Sequence, residues 1–264
     1  MGRLQWIVLL VTATLTLRAQ SDLPSAGPYH LSWSKDLSIS GVGVGTVLLA
    51  DELRRQVPKI FLSELPLGRI PVFDRFAVEY KSDFARKASN RTRDASTYLP
   101  LVLLLGKGPR RDVLKLALMY VQTVTLRRGL TNIVKYSVRR PRPYLYDASL
   151  DPTTIVRSYD REAFLSGHTS GSAATAFFFG GVFADYYPDS KLKPYVWTLA
   201  ASLPAFTGYF RIRAGQHYLS DVVAGYLLGA AIGYSVPLLH RSPRTRERLT
   251  VSPSGTGIYL SYEF

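Results

Sequence analysis

The chain has 264 residues, which by length is one domain with short extensions, and it contains no cysteine. That excludes disulfides, a thiolate nucleophile and thiolate metal sites. The formal charge of +14 calls for an anionic partner; without aromatic–basic strand interleaving or zinc-finger spacing, nucleic acid ranks behind anionic lipid and phosphate esters.

Met1-Gly2-Arg3, an apolar run from Leu4 to Leu17, and Arg18-Ala19 make residues 1–20 read as a secretory signal peptide, or alternatively as an N-terminal anchor. Both readings place Ser21 outside the cytoplasm. Residues 21–69 form a lead-in and a helix. Ile39 to Ala50 is apolar and Gly-rich and continues into Asp51-Glu52-Leu53-Arg54-Arg55. This predicts a helix of about twenty residues, whose uncharged part is too short to span a bilayer unaided. Residues 72–94 place Phe73, Phe76, Ala77, Tyr80, Phe84 and Ala88 at helical spacing. They read as one amphipathic helix on a surface, against either the core or a membrane interface.

An apolar stretch from Ala95 to Gly106 ends in Lys107, Arg110 and Arg111. A helix from Asp112, its N-cap, to about Lys135 follows. The loop from Arg139 to about Leu165 leads into an uncharged helix, Thr169 to Ala184, and a turn with Lys191 and Lys193. Residues 194–210 and 222–239 are also uncharged, and the latter precede a basic C-terminal tail, 241–264, whose last ten residues alternate like a lone strand. One strand closes no barrel. Antiparallel helices with short links place the basic turns at one end and the chemistry-bearing residues at the other. With membrane spans, the positive-inside rule puts the basic end in the cytoplasm. Ser21 and Ala95 then share the outer side, so residues 37–60 are expected to be an outward-side or re-entrant helix. Mean hydropathy is only +0.03, which keeps a soluble periplasmic form as the alternative.

The chemistry-bearing residues are Lys135, Arg142, Ser166-Gly167-His168, Arg211, His217 and Asp221. Phosphate-ester cleavage needs fixed cations for the equatorial oxygens, a nucleophile and a proton donor. His217 and Asp221, four apart at a helix start, share a face. The carboxylate is placed to accept the imidazole Nδ1–H and leave Nε2 free. Gly167 allows close backbone approach beside helix-terminal amides, and Ser166 offers a hydroxyl. Arg139, Arg140 and Arg213 match the clamp cations by type, and spacing alone leaves open which histidine attacks. A cluster of carboxylates at metal-ligand spacing is absent, so no metal and no other cofactor is expected.

Lys135-x6-Arg142-Pro143, Ser166-Gly167-His168 and Arg211-x5-His217-x3-Asp221 resemble the three motifs of the type 2 phosphatidic acid phosphatase (PAP2) and vanadium haloperoxidase superfamily, over roughly residues 70–240. Leu165 stands where the family usually has Pro, and Phe210 where it has Ser. The resemblance implies an all-α antiparallel helical bundle of the PAP2 type, membrane-embedded. It also implies a metal-independent hydrolase of phosphate monoesters or pyrophosphates, with a phosphorylated lipid and the membrane as partners and no obligate protein partner. By the same resemblance His217 is the nucleophile that becomes phosphohistidine, Asp221 its orienter, and His168 the general acid. Lys135, Arg142, Ser166, Gly167 and Arg211 hold the phosphate. The expected location is the cell inner membrane, with the site facing the periplasm. The alternatives are a soluble periplasmic acid phosphatase, a vanadate-dependent haloperoxidase with His217 on vanadate, and a non-catalytic anion-binding membrane protein.

Overall fold

The computed structural model describes residues 27–65, 68, 70–242, 249–254 and 257–262. The signal or anchor assigned to residues 1–20 lies outside them. The helices are α1 (Trp33–Arg55), α2 (Asp83–Tyr98), a short α3 (Lys107–Arg111), α4 (Val113–Val138), α5 (Gly167–Tyr186), α6 (Lys193–Arg213) and α7 (Leu219–His240). Together with the 3-10 helix Leu99–Leu105 that extends α2, they make an all-α antiparallel bundle. One end collects the C-termini of α4 and α6 and the N-termini of α5 and α7, and so gathers every motif.

The tightest seam joins α5 to α7. Gly225, Gly229 and Gly233, four apart, lie on one face of α7. A Cβ added to them would sit 2.7, 2.2 and 2.2 Å from the carbonyl oxygens of Ser166, Ser170 and Ala174. Only hydrogen fits there, and the absent side chains let the two backbones touch, as small residues do in membrane helix pairs. Farther from the motif end, Met119, Phe178, Phe179, Val182, Ile232 and Val236 form the main apolar core. A smaller cluster of Ala77, Ala163, Ile212, Tyr218 and Val222 lies near the motifs.

Three expectations change. First, α1 is not a re-entrant helix. Near its start, Asp36 pairs with His240 Nε2 at 2.7 Å and takes Gln122 Nε2 at 3.3 Å, at the end opposite the motifs. Near its finish, the Arg54 guanidinium lies 6.0 Å from the Tyr136 ring at the motif end. Its 23 residues, about 34 Å long, run the length of α4. Second, residues 72–94 are two elements, a 3-10 helix Val72–Glu79 and α2, parted at residues 80–82. Ser82 caps α2, its Oγ accepting from Ala85 N at 3.2 Å, while its own N donates to Arg213 O at 3.1 Å. Ala77 is buried in the smaller core cluster with Tyr80 packed against it, while Phe73, Phe76 and Phe84 stay exposed, so this apolar face joins the protein core only in part. Third, the terminal strand has a partner: β3 (Leu249–Ser254) and β4 (Gly257–Tyr262) pair antiparallel, Leu249 opposite Tyr262. Asp112 does precede α4, but its carboxylate takes Tyr186 O–H and Lys115 Nζ instead of capping the helix. A small antiparallel pair, β1 (Ile60–Phe61) and β2 (Ile155–Val156), ties the lead-in to the loop before α5.

Candidate active site

Lys135 lies in the last turn of α4. Arg142 follows the helix end, and Ser166 is the N-cap residue of α5. Arg211 ends α6, His217 stands in the α6–α7 link, and Asp221 sits in the first turn of α7. Lys135, Arg142, Arg211, His217 and Asp221 are all buried. Their grouping follows from helices that alternate in direction along the chain, which returns each motif to the same end.

His217 has a defined tautomer. Its Nδ1 lies 2.8 Å from the Ala163 carbonyl, a pure acceptor, so Nδ1 carries the proton. Nε2 then holds a lone pair, 3.4 Å from Arg142 Nη1. Burial, together with the charges of Arg142, Arg211 and Lys135, pushes the His217 imidazole well below its ordinary pKa. The ring is therefore neutral at pH 7, the form a nucleophile requires.

The orienting partner differs from the expected one. Asp221 Oδ2 is 3.5 Å from Nδ1, longer than the Ala163 bond. Its nearer partners are Tyr218 N at 2.9 Å and Arg140 Nη1 at 2.6 Å. Arg140 also reaches Asp74 at 2.8 Å and Ser220 Oγ at 2.7 Å, with its guanidinium 3.9 Å from the Tyr218 ring. Asp74 in turn accepts from Ser220 N and Oγ at 3.0 and 2.6 Å. Despite burial, Arg140 and Ser220 hold the Asp74 carboxyl below its ordinary pKa. Thus Asp221 contributes charge near the imidazole while the Ala163 carbonyl sets the tautomer. Arg140, which matches the clamp cations by type, instead bridges Asp74 and Asp221.

Three donors converge on one oxygen. Arg142 Nη1, Arg211 Nη2 and Tyr159 O–H all point to Gln216 Oε1, at 3.3, 3.3 and 3.1 Å. This is the donor set that an equatorial phosphoryl oxygen needs. Arg142 is held from behind by Tyr159 O at 2.8 Å and lies 4.0 Å over the Tyr159 ring. Lys135 Nζ donates to Glu162 O at 2.5 Å, and a Cβ on Gly167 would come within 4.0 Å of that Nζ. Ser166 Oγ is fully buried, bonds Thr169 Oγ1 at 2.8 Å and caps α5. Its backbone N donates to Asp221 O at 2.9 Å, joining the second motif to the third.

His168 faces α2. Its Nε2 is 2.9 Å from Asn90 Oδ1 and 3.0 Å from Arg93 Nη1. Neither α2 residue belongs to a motif; the only signal in the sequence was two polar positions three apart on an amphipathic helix. Asp74, Tyr159, Ala163 and Gln216 carried no signal either.

Among the described residues one helix, Leu219–His240, is long and apolar enough to cross a bilayer. Among curated proteins, the chain is 27% identical over 149 residues to a lipid A 4'-phosphatase of Porphyromonas gingivalis, covering 55% of this chain and 60% of that protein. It is also 27% identical over 263 residues to a lipid A 1-phosphatase of the same organism, covering 95% of this chain and 54% of that one. The chain therefore spans little more than half the length of these relatives. A solved transmembrane PAP2 type phosphatidylglycerolphosphate phosphatase from Bacillus subtilis aligns with a TM-score of 0.46 and 18% identity, over 77% of this chain and 96% of that one. The family model of the PAP2 superfamily matches residues 114–244, the stretch that holds all three motifs, and it is to this superfamily that the chain belongs.

Proposed function

We propose that the protein hydrolyses phosphate monoesters or pyrophosphates of lipids through a phosphohistidine, without a metal ion. The observation that carries this reading is the buried, Nδ1-protonated His217, whose Nε2 lone pair lies among Lys135, Arg142 and Arg211. The Nε2 pair attacks phosphorus in line, the bond to the leaving oxygen breaks, and that oxygen takes the electrons and a proton from His168. The phosphorylated ring is an imidazolium, whose charge Asp221 offsets. His168 then takes a proton from water, the hydroxide attacks phosphorus, and the P–N bond breaks to restore His217. The side-chain cations and the Gly167 backbone stabilise the pentavalent oxygens.

The two contacts of His168 ask for opposite protonation states. Arg93 only donates, which favours a bare Nε2, whereas Asn90 Oδ1 accepts, which favours Nε2–H. Burial and the charges of Arg211, Arg93, Arg142 and Lys135 hold His168 far below its ordinary pKa, and a phosphate dianion that neutralises these cations opposes that shift and favours the protonated ring. Substrate thereby arms its own acid.

A lipid substrate is supported by the names of the two Porphyromonas relatives and by outward-facing apolar residues such as Leu101, Leu105, Leu199, Phe206, Val223 and Leu227. The basic turn residues Lys107, Arg110, Arg111 and Lys193 and the helix end at Arg241 lie opposite the motifs. By charge this favours the inner membrane with the site toward the periplasm.

The test is phosphate release from a panel of phosphorylated lipids in detergent with EDTA, combined with rapid-quench trapping of acid-labile phosphate. His217→Ala is expected to lose both turnover and trapped label. His168→Ala is expected to lose about 10²–10⁴-fold with ordinary esters but to accumulate label from an activated aryl phosphate. Label on His217→Ala but not on His168→Ala reverses the roles. Loss in EDTA with rescue by Mg²⁺ removes the metal-free mechanism, and halide oxidation dependent on added vanadate favours the haloperoxidase.

A further inference from the structure

Behind the Asp221–Arg140 network lies a cavity of about 560 Å³ that the mechanism does not use. It opens between the turn after α4, Arg161, and the residues Leu65, Gly68, Ile70, Pro71, Phe73 and Asp74. Among the described residues, three arginines, Arg139, Arg140 and Arg161, line it against one carboxylate, Asp74, a difference of +2. Arg140 and Asp74 already satisfy each other at 2.8 Å. Arg139 and Arg161 have no carboxylate partner among the described residues; Arg139 Nε donates to Tyr136 O at 2.9 Å and Arg161 Nη2 to Pro58 O.

Arg161 is buried, with a relative exposure of 8%, and its Nε has no hydrogen-bond partner among the described residues. Burying a cation is costly unless an opposite charge offsets it. Burial and the neighbouring Arg139 charge both lower the Arg161 pKa from its ordinary value, which puts two like charges beside one cavity. Arg139 also closes α4 at φ 51°, a left-handed conformation that is strained for any residue but glycine and holds this guanidinium at the cavity.

We infer that this cavity is a second anion site, separate from the catalytic pocket, that binds a phosphate or phosphate-monoester headgroup between Arg139 and Arg161. Guanidinium pairs suit tetrahedral oxyanions. The volume far exceeds the roughly 30 Å³ share of one water and falls in the range of small-molecule sites. Leu65, Ile70, Phe73, Val138 and Tyr146 supply apolar wall for the rest of an amphiphile. The site does not depend on the hydrolytic mechanism, because none of these residues touches the reacting atoms.

The absence of cysteine allows a direct test. Val138 lines the cavity and is 51% exposed, so Val138→Cys places a single thiol at its mouth. The full chain in neutral detergent is labelled with an anionic and a cationic methanethiosulfonate of similar size. The anionic reagent is expected to react about tenfold faster by local charge, and the preference is expected to vanish with Arg139→Gln plus Arg161→Gln. Arg139→Gln alone serves if the double variant does not fold, and is expected to halve the logarithm of the preference. Protection by inorganic phosphate alone identifies a free oxyanion as sufficient. Protection only by micelles containing a long-chain alkyl phosphate identifies a lipid headgroup. A charge preference that is absent, or that survives the Arg→Gln changes, overturns the site, as does failure of both ligands to protect. Phosphatase activity does not enter the readout, so failure of the proposed reaction leaves this result interpretable.

Discussion

Gln216 shows how a single side chain sets occupancy of the site. Its Oε1 accepts from Arg142, Arg211 and Tyr159, so on the proposed function a bound phosphate competes with it for these donors. Gln216→Ala is therefore expected to lower KM about threefold to tenfold with little change in kcat, since only the competing hydrogen bonds are lost. Steady-state kinetics on a soluble aryl phosphate checks this; a raised KM means that Gln216 helps bind substrate. The neutral, buried His217 has a second consequence. Below about pH 6.5 the unfolded chain takes up a proton that the folded imidazole refuses, so the unfolded state binds more protons. Stability is then full above the unfolded pKa and falls by up to about 1.4 kcal/mol per pH unit below it, until the folded ring also protonates. Unfolding midpoints at pH 7 and pH 5 should separate less in His217→Asn than in the parent.

At the scale of elements, the α5–α7 seam positions the two histidine motifs relative to each other. Ser166 N donates to Asp221 O across it, and the glycine face of α7 sets the spacing. Gly229→Val places new carbons where 2.2 Å already separates an ideal Cβ from Ser170 O. Because backbone has to move, the expected loss is about 1–3 kcal/mol of stability, with a fall in kcat as Ser166 and Asp221 part. The same change at Gly41, where an added Cβ meets nothing within 4 Å, is the control and should cost far less. Equal effects at the two positions would remove the seam from the account.

For the whole molecule, α1 decides the topology. It begins at the end opposite the motifs, together with His240 and the basic turns, and finishes beside Tyr136. If charge orients the bundle with its site outward, residues 27–32 lie on the cytoplasmic side. That conflicts with reading residues 1–20 as a signal or anchor that leaves Ser21 outside. Fusions of a compartment-sensitive reporter after residue 30 and within the 187–192 link are expected to report the cytoplasm, and a fusion in the 147–154 loop the periplasm. A periplasmic result after residue 30 together with a cytoplasmic one in the 187–192 link would break the continuous crossing assigned to α1. Recovery of the protein in a detergent-free periplasmic wash would favour the soluble form.

The local sequence determined a great deal. Uncharged runs of helical length, basic turns at alternating positions, and motif residues at fixed intervals were enough to read an all-α bundle with Lys135, Arg142, Arg211, His168, His217 and Asp221 at one end. Those features are periodic or close in sequence, and short links make them converge. Partners far apart in the chain were decided by the tertiary structure alone. The Ala163 carbonyl on His217, Arg140 between Asp74 and Asp221, and Asn90 and Arg93 against His168 join segments that no local spacing relates. The full-length course of α1 was hidden for the same reason: Asp36 finds His240 204 positions away, and only packing brings that pair together.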